Sequence, residues 1–509
     1  MKADPKVHLN FVDQAIAFFF PGAGVRRLAA RSVLSHYEAA KPSRLRKGRK
    51  ANGSPNAGPQ MGAVGLRGLA RNLEANHDIA RGALRTLVNN VVGASGIGIE
   101  PQPRRRDGTI HVEYAAALRA AYRNWAQTPE VTQRHHWSKV QRLVAKTWLR
   151  DGECFAQRLV GAVPLLDHGT KVPYSLELIE PDMIPFDHHD AARGIQQGIE
   201  RNTWGKPTGY WAYKEFPGGD VWTKRSYELK RIEAGRMHHI ASLDRIGQLR
   251  GVSEFASVIT RLEDIKDYEE SERIAAKVAA SLTAYVKKGS PEAFGADPDA
   301  APGQPRELNL SPGMIIDSLA VGEEIGMIDS NRPNPNLVTF RQGQLRAVAA
   351  GFGGSYSSIS RDYSGTYSSQ RQELVEQWIH YAVLCDEFVG QFVQPTWNDF
   401  VVAARLSGVV PMPADVDPDT ADDALFVGQS MPWIDPLKEA MAWQALVEAG
   451  FASEVEVMRK RGVNPRDVLE QIMAHRKECA EKGLVFKSNF ASQNKGAPPA
   501  SPPEETKDE

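Results

Sequence analysis

NRPNPNLVTFRQGQLRAVAAGFGGSYSSISRDYSGTYSSQRQ, residues 331–372, sets an apolar run against an unusually polar junction. In VTFRQGQLRAVAAGF the apolar positions recur at steps of three and four, which predicts a helix. Residues 353–372 then hold seven serines, three tyrosines, three glycines and one cation-bearing turn position, Arg361. Helical spacing resumes in SSQRQELVEQWIHYAVLCDEFVGQFVQPTWNDFVVAARL, where Pro395 is expected to break or kink the run. A hydroxyl-rich junction between two helices suits one of two chemistries: a nucleophilic active site, or a mobile polar loop that touches a nucleic-acid backbone.

Upstream lies the longest helical candidate, residues 252–288. Val252, Phe255, Ile259, Leu262 and Ile265, then Ile274, Val278, Leu282 and Tyr285, mark one apolar stripe. Unbroken, it would measure about 55 Å. Its middle, residues 263–273, carries six acidic and two basic residues, read first as a solvated face and otherwise as a surface that repels phosphate. Between the two helices, residues 289–335 are rich in Pro and Gly, with short apolar pieces in GMIIDSLAVGEEIGMI that suggest a small β element. Residues 154–240 switch to short alternating runs such as YSLELIE and TGYWAYKEF separated by turn signals, a sheet-rich unit. GLRGLARNLEANHDIARGALRTLVNNVVG and VEYAAALRAAYRNWAQ predict helices before it. Residues 41–60 form a basic, then Gly- and Pro-rich linker. Residues 435–483 read as short helices punctuated by glycine, and the proline-rich, acid-ended tail as disordered.

Composition narrows the function. Sixty-two basic residues cancel sixty-two acidic ones, so no global field gathers polyanions and any DNA contact must be local. At 509 residues the chain divides into roughly two to four lobes. Cys154, Cys385 and Cys479 stand far apart, which disfavours a disulfide framework or a zinc site and suits an intracellular protein. The early apolar run FVDQAIAFFFPG is interrupted by Asp13 and stopped by Pro21, too short to span a bilayer. No membrane partner is expected.

The catalytic reading finds little support. Around Ser355 the order Gly-Gly-Ser-Tyr-Ser lacks the second glycine of a nucleophile elbow. GFGGSY misses the last glycine of a dinucleotide fingerprint, GASGIGIE has the wrong spacing, and no phosphate-loop sequence occurs. The doublets His135/His136, His188/His189 and His238/His239 each offer one convenient metal ligand at most, because neighbours in a strand face opposite ways. The aspartates of residues 415–423 lack the glycine and glutamate of a calcium loop. Neither cofactor nor metal is expected. A serine hydrolase or peptidase using a serine of residues 353–369 is the alternative from another class, and a monomeric DNA-binding protein is a third.

Taken in order, RGLARNLEANHDIARGALRTLVNNVVGASGIGIEPQ, DGECFAQ, LELIEPDMI, GIERNTWGKPTGYWAY, HHIASLDRIGQLRGVSEFASVI, LSPGMIIDSLAVGEEI, the stretch at 331–372 and WIDPLKEAMAWQALVEAG resemble a tailed-phage portal protein of the lambda-like family, from about Phe20 to Leu484. KPSRLRKGRK and the residues after Leu484 depart from that pattern. The resemblance implies an α+β portal fold and a non-enzymatic ring, commonly a dodecamer, at one capsid vertex. Double-stranded DNA would pass through it without regard to sequence.

By order of elements, residues 1–60 would be an N-terminal arm and basic linker and 61–251 a wing, helical and then sheet-rich. Residues 252–288 would be the first stem helix with adjoining wing, 289–335 a small α/β clip and 336–352 the second stem helix. Residues 353–366 would be a tunnel loop, 367–434 the wing helix and following loop, 435–486 a helical crown and 487–509 a disordered tail. The DNA-facing residues implied are Gly353, Gly354, Ser355, Tyr356, Ser357, Ser358, Ser360, Arg361, Tyr363 and Ser364. Glu323, Glu324 and Arg332 of the clip would meet the terminase large subunit, the separate packaging motor. Major capsid, scaffold and head–tail connector proteins are the other implied partners, and the location is the virion, with assembly in the host cytoplasm. The long helices also present more apolar face than one lobe covers, as self-association requires.

Overall fold

The computed structural model describes residues 54–217, 227–280, 284–288, 323–327, 336–431 and 435–484. The chain divides into residues 1–58, of which only the last five are described, and residues 59–509, treated below.

Helix α1 (Ala57–Asn76) begins inside the stretch read as linker. Pro59 is no obstacle there, because the first four helical N–H groups have no intrahelical acceptor. The helical run read across residues 65–93 is in fact two helices. His77 leaves helical geometry, and its Nδ1 accepts the Ile79 N–H to open α2 (Asp78–Val91). A short strand β1 (Gly98–Pro101), α3 (Val112–Trp125) and α4 (Trp137–Asp151) follow.

At Gly152 the chain turns with φ 91° and enters the sheet region. A Cβ at Gly152 would lie 2.4 Å from the Val252 backbone, so only glycine permits this approach. The strands are β2 (Glu153–Val160), β3 (Tyr174–Ile179), β4 (Ile195–Gln196), β5 (Ile199–Arg201), β6 (Pro207–Tyr213), β7 (Leu229–Glu233) and β8 (Met237–Ala241). They form two antiparallel sheets, ordered β3-β2-β8 and β4-β5-β6-β7.

The expected continuous helix over 252–288 is not present. A 3-10 turn (Glu254–Ser257) precedes α5 (Ile259–Ala280), 22 residues and about 33 Å long. Residues Ala284–Lys288 are strand β9, paired antiparallel with β10 (Glu323–Met327), so Tyr285 belongs to a ladder and not to a helical stripe. Tyr285 and Val286 are residue types that favour a pleated backbone once a partner strand exists. Phe255, Ile259, Leu262 and Ile265 are buried as the spacing predicts, whereas Ile274 is exposed.

Helix α6 (Leu337–Phe352) packs on α5 through Tyr268 and Phe340, whose ring centroids are 5.0 Å apart, and through Arg261, which donates to Gln344 at 2.7 Å. A Cβ on Gly351 would lie 2.4 Å from Val258 Cγ1, so α6 approaches the start of α5 through a glycine. Within the serine-rich stretch lies a short helix, α7 (Tyr356–Ser360). Helix α8 (Tyr367–Phe388) continues through a π-helical turn (Val389–Val393) into α9 (Gln394–Leu406). Pro395 therefore does not end the run: it occupies the first turn after the π segment, where its missing N–H is tolerated. Strand β11 (Ala424–Val427) pairs with β1, and α10 (Pro436–Glu448), α11 (Glu454–Lys460) and α12 (Pro465–Glu481) complete the described chain. Gly450 and Gly462, at φ 76° and 72°, separate these last helices. Among the described residues no helix is long and apolar enough to cross a membrane.

The main core joins α1 to α4 with α8 and α9 around an aromatic cluster. Trp125 stacks on Tyr174 at 5.4 Å, and Tyr122, Trp137, Phe392, Trp397 and Phe400 close around them. A second, polar anchor fixes α1 against the sheets. The fully buried Glu153 carboxylate accepts from Arg250 Nε at 2.9 Å, Arg67 Nη2 at 3.3 Å and the Gly251 N–H at 3.0 Å, and lies 3.1 Å from His239 Nε2. Arg250 also donates to the Ile184 and Gln197 carbonyls and lies 4.0 Å from the Phe186 ring centroid. Arg67 reaches Asp182 at 2.9 Å and Arg71 reaches Asp151 at 2.8 Å. Burial alone would raise the Glu153 pKa, but the Arg250 charge and the His239 and Arg250 hydrogen bonds hold it well below the carboxylate range. The doublet on β8 divides as strand geometry demands, with His239 on Glu153 and His238 on Asp399 at 3.1 Å.

Candidate functional site

Residues 353–366 are an ordered turn-helix-turn rather than an open loop. Gly353 closes α6 with φ 64°, and a Cβ there would sit 2.6 Å from His380 Nε2. Ser355 caps α7 by accepting the Ser358 N–H at 3.1 Å. Arg361 ends α7 in the left-handed region, φ 60°, and its N–H bonds the Ser357 carbonyl. Thr366 then caps α8 by accepting from Ser369.

Most of the hydroxyls in this stretch are committed internally. Ser355 Oγ donates to Ser358 Oγ at 2.7 Å, Ser358 Oγ donates to Gln377 Oε1 at 3.0 Å, and Gln377 donates to the Tyr381 hydroxyl. Ser357 Oγ donates to Glu373 at 2.6 Å, and Ser360 Oγ to the Tyr356 carbonyl at 2.7 Å. The Tyr356 hydroxyl donates to Asp362 at 3.0 Å, while Arg346 lies 5.2 Å from the Tyr356 ring centroid. Gly354 leads into the cap, a Cβ there falling 3.2 Å from Ile359. Arg361, Tyr363 and Ser364 remain exposed at the outer turn. Arg361 donates to Thr86 of α2 at 3.0 Å, and the Tyr363 carbonyl accepts from Gln370 at 2.6 Å. The Ser364 N–H caps Asp362, whose carboxyl is lowered first by hydrogen bonding to Ser364.

Chemically, Ser355 is not placed as a nucleophile. A catalytic serine passes its proton to a base. The Ser355 proton points instead to Ser358, and onward to an amide that is no base. His380 lies beside Gly353, where it hydrogen-bonds the Phe352 backbone, and burial lowers its pKa. The adjoining cleft, of about 680 Å³, is lined by Asp362, Glu373 and Glu376 against the single cation Arg346. That balance repels phosphate inside the cleft and leaves Arg361 as the outward cation of residues 353–366.

Sequence spacing alone did not point to Arg346, Thr86, Glu373 or Gln377 as supports of this turn. Glu373, Gln377, Tyr381 and Leu384 do recur at helical steps on α8, a signal for an inward polar-apolar stripe.

Of the expected clip residues, Glu323 and Glu324 lie on β10, opposite Lys288 and Lys287 of β9, while Arg332 falls outside the described residues. Glu324 and Lys287 are both exposed.

The family described as "Phage portal protein, lambda family" has a sequence model that matches residues 41–384. The match begins in the basic KPSRLRKGRK stretch, which therefore belongs to the pattern it was expected to depart from, and it includes the whole turn-helix-turn. A "Probable portal protein" of Halomonas phage phiHAP-1 is 24% identical over 458 residues, 87% of this chain and 86% of that one. The "Portal protein" of Escherichia phage N15 is 25% identical over 328 residues, 57% of this chain and 60% of that one. A chain in the solved "Virion of native gene transfer agent (GTA) particle" aligns over 79% of this chain and 94% of its own length, at 13% identity and a TM-score of 0.43.

Proposed function

The chain belongs to the lambda family of phage portal proteins, and from that membership we propose that copies of it close into a ring at one capsid vertex. It is a structural portal component and not an enzyme. The ring, a dodecamer in this reading, is the conduit through which terminase drives double-stranded DNA in and through which DNA later leaves. It also seats the head–tail connector and meets the capsid and scaffold proteins during assembly in the host cytoplasm.

The observation that carries this reading is the extent of the family match, residues 41–384, from before α1 into α8. Two features of the chain support its details. Val375, Ile379 and Val383 form an exposed apolar row on α8, and Leu437, Met441 and Met473 on the last helices, with Phe451 in the turn between α10 and α11, expose more apolar surface. Such surface is what a neighbouring copy would cover. The second feature is Arg361: glycine would take φ 60° without strain, so what the position gains from arginine is its guanidinium. Residues 353–366 then act as a DNA-facing loop, with Arg361, Tyr363 and Ser364 outward and the remaining expected residues shaping it. A hydroxyl or one guanidinium against phosphate in water is weak and blind to sequence, which suits DNA that must slide.

Electron microscopy of the purified chain tests the ring, with closed rings around a central channel expected. A strictly monomeric species at micromolar concentration, with and without scaffold and capsid protein, contradicts it. The β9–β10 hairpin is the proposed terminase contact. Reversing Glu323 and Glu324 to lysine would set like charges opposite Lys288 and Lys287, so Glu323→Gln with Glu324→Gln is the cleaner variant. It is expected to keep the ring and weaken terminase binding.

A further inference from the structure

The neutral net charge of the chain hides a concentrated cationic site among the described residues, away from residues 353–366. A cleft of about 250 Å³ runs between α2 and α4. Arg81 and Arg85 line it from α2, with Asn89 one turn further, and Lys139, Arg142 and Lys146 line it from α4. The one carboxylate in the lining, Glu74, is already paired, with Lys146 and with Arg150 Nη1 at 2.8 Å. Arg142 donates to the Gly93 and Ala94 carbonyls, which fixes it at the end of the cleft. Arg81, Arg85 and Lys139 are exposed.

The geometry points to this cleft as a second, sequence-independent seat for the phosphate backbone of double-stranded DNA, outside residues 353–366. Residues i and i+4 of a helix rise about 6 Å. Successive phosphates of one DNA strand rise about 3.4 Å along the axis and also wind around it, which sets neighbours roughly that far apart, so Arg81 and Arg85 can address neighbouring phosphates of one strand. Lys139 and Arg142 supply the opposing wall. Guanidinium groups favour this role because their fork matches phosphate oxygens. Contacts to phosphate carry no base information, so a seat on the backbone holds the duplex without selecting sequence.

The choice of duplex DNA as occupant rests on the portal reading. The test uses the full chain in an Arg361→Gln background, so that the turn at residue 361 does not contribute. Binding of two unrelated short fluorescent duplexes is titrated at a series of potassium chloride concentrations. Each phosphate contact contributes about 0.9 to the slope of log affinity against log salt. Arg81→Gln with Arg85→Gln should lower that slope by about 1.8 for both duplexes, and Arg81→Lys with Arg85→Lys should restore most of it. An unchanged slope in the glutamine variant overturns the inference. So does displacement of the duplex by inorganic phosphate, or by poly-glutamate of equal charge, at concentrations where unlabelled duplex competes, which would assign the cleft to a free anion or an acidic protein segment. Microscopy of the same preparations separates the two ideas: rings with an unchanged slope defeat only the cleft, and a shifted slope without rings defeats only the portal reading.

Discussion

Glu153 and Ser355 are both buried polar residues at the start of an element, and they are held in opposite ways. Glu153 opens β2 inside a lattice of Arg67, Arg250 and His239 with no solvent access. Ser355 opens α7 inside a relay of hydroxyls and amides. Removing one partner from a buried ionic lattice leaves a charge without compensation, whereas neutral hydroxyl bonds exchange with water at small net cost. The lattice therefore fixes the position of α1 on the sheets, and the turn at 353–366 is ordered by bonds that are individually cheap to break. In the proposed reading, the turn borders moving DNA and benefits from the second arrangement, and the frame that carries it from the first.

The largest effect that sharpens this contrast is expected from Glu153→Gln. It strands Arg250 and should cost about 3–5 kcal/mol, read as a lowered denaturation midpoint. The same lattice predicts the acid response. Glu153, Glu74 and Asp182 all titrate below their ordinary values in the folded chain, despite the opposing effect of burial, because arginine partners stabilise the carboxylates, with Lys146 adding to Arg150 at Glu74. Their stabilisation is complete above the unfolded carboxylate pKa of about 4.3 and is lost as pH falls through the folded values. His380, lowered by burial, adds a smaller loss that starts as pH drops below about 6.5. Thermal melts from pH 8 to pH 3 should show both, and Glu153→Gln should flatten the lower one. A Glu153→Gln chain as stable as the parent would mean that the lattice is not what fixes α1.

Ser355→Ala sits at the small end. It removes a helix cap and should cost about 1 kcal/mol while leaving DNA packaging intact. Substitution of Gly353 is a poor probe of mobility, because the left-handed backbone and the nearby His380 ring make any side chain there a steric problem.

What the sequence made legible follows the range of the interactions. The helices around 337–352 and 367–388 were readable because apolar steps of three and four are local. The sheet region was readable from alternation and turn residues over 154–240. Strand β10 falls in the piece read as a small β element, whereas β9 was read as the end of a helix, because it is strand only by virtue of a partner beginning at Glu323. Helix α7 was missed because its order comes from Ser355 and Arg361 at its two ends, in a composition that reads as loop. The Glu153 lattice joins residues 67, 153, 182 and 250, and no local pattern announces it. Arg361 was visible as a lone cation among hydroxyls, but that most neighbouring serines face inward was not.

Packaging by Arg361→Glu beside Ser355→Ala tests the conduit account most directly. Rings of both variants, confirmed by microscopy and terminase binding, are loaded into heads, and the length of DNA taken up and retained is measured. The expected result is normal packaging with Ser355→Ala and impaired translocation or retention with Arg361→Glu. Loss of function with Ser355→Ala, together with full-length DNA packaged and held normally by Arg361→Glu, would contradict it.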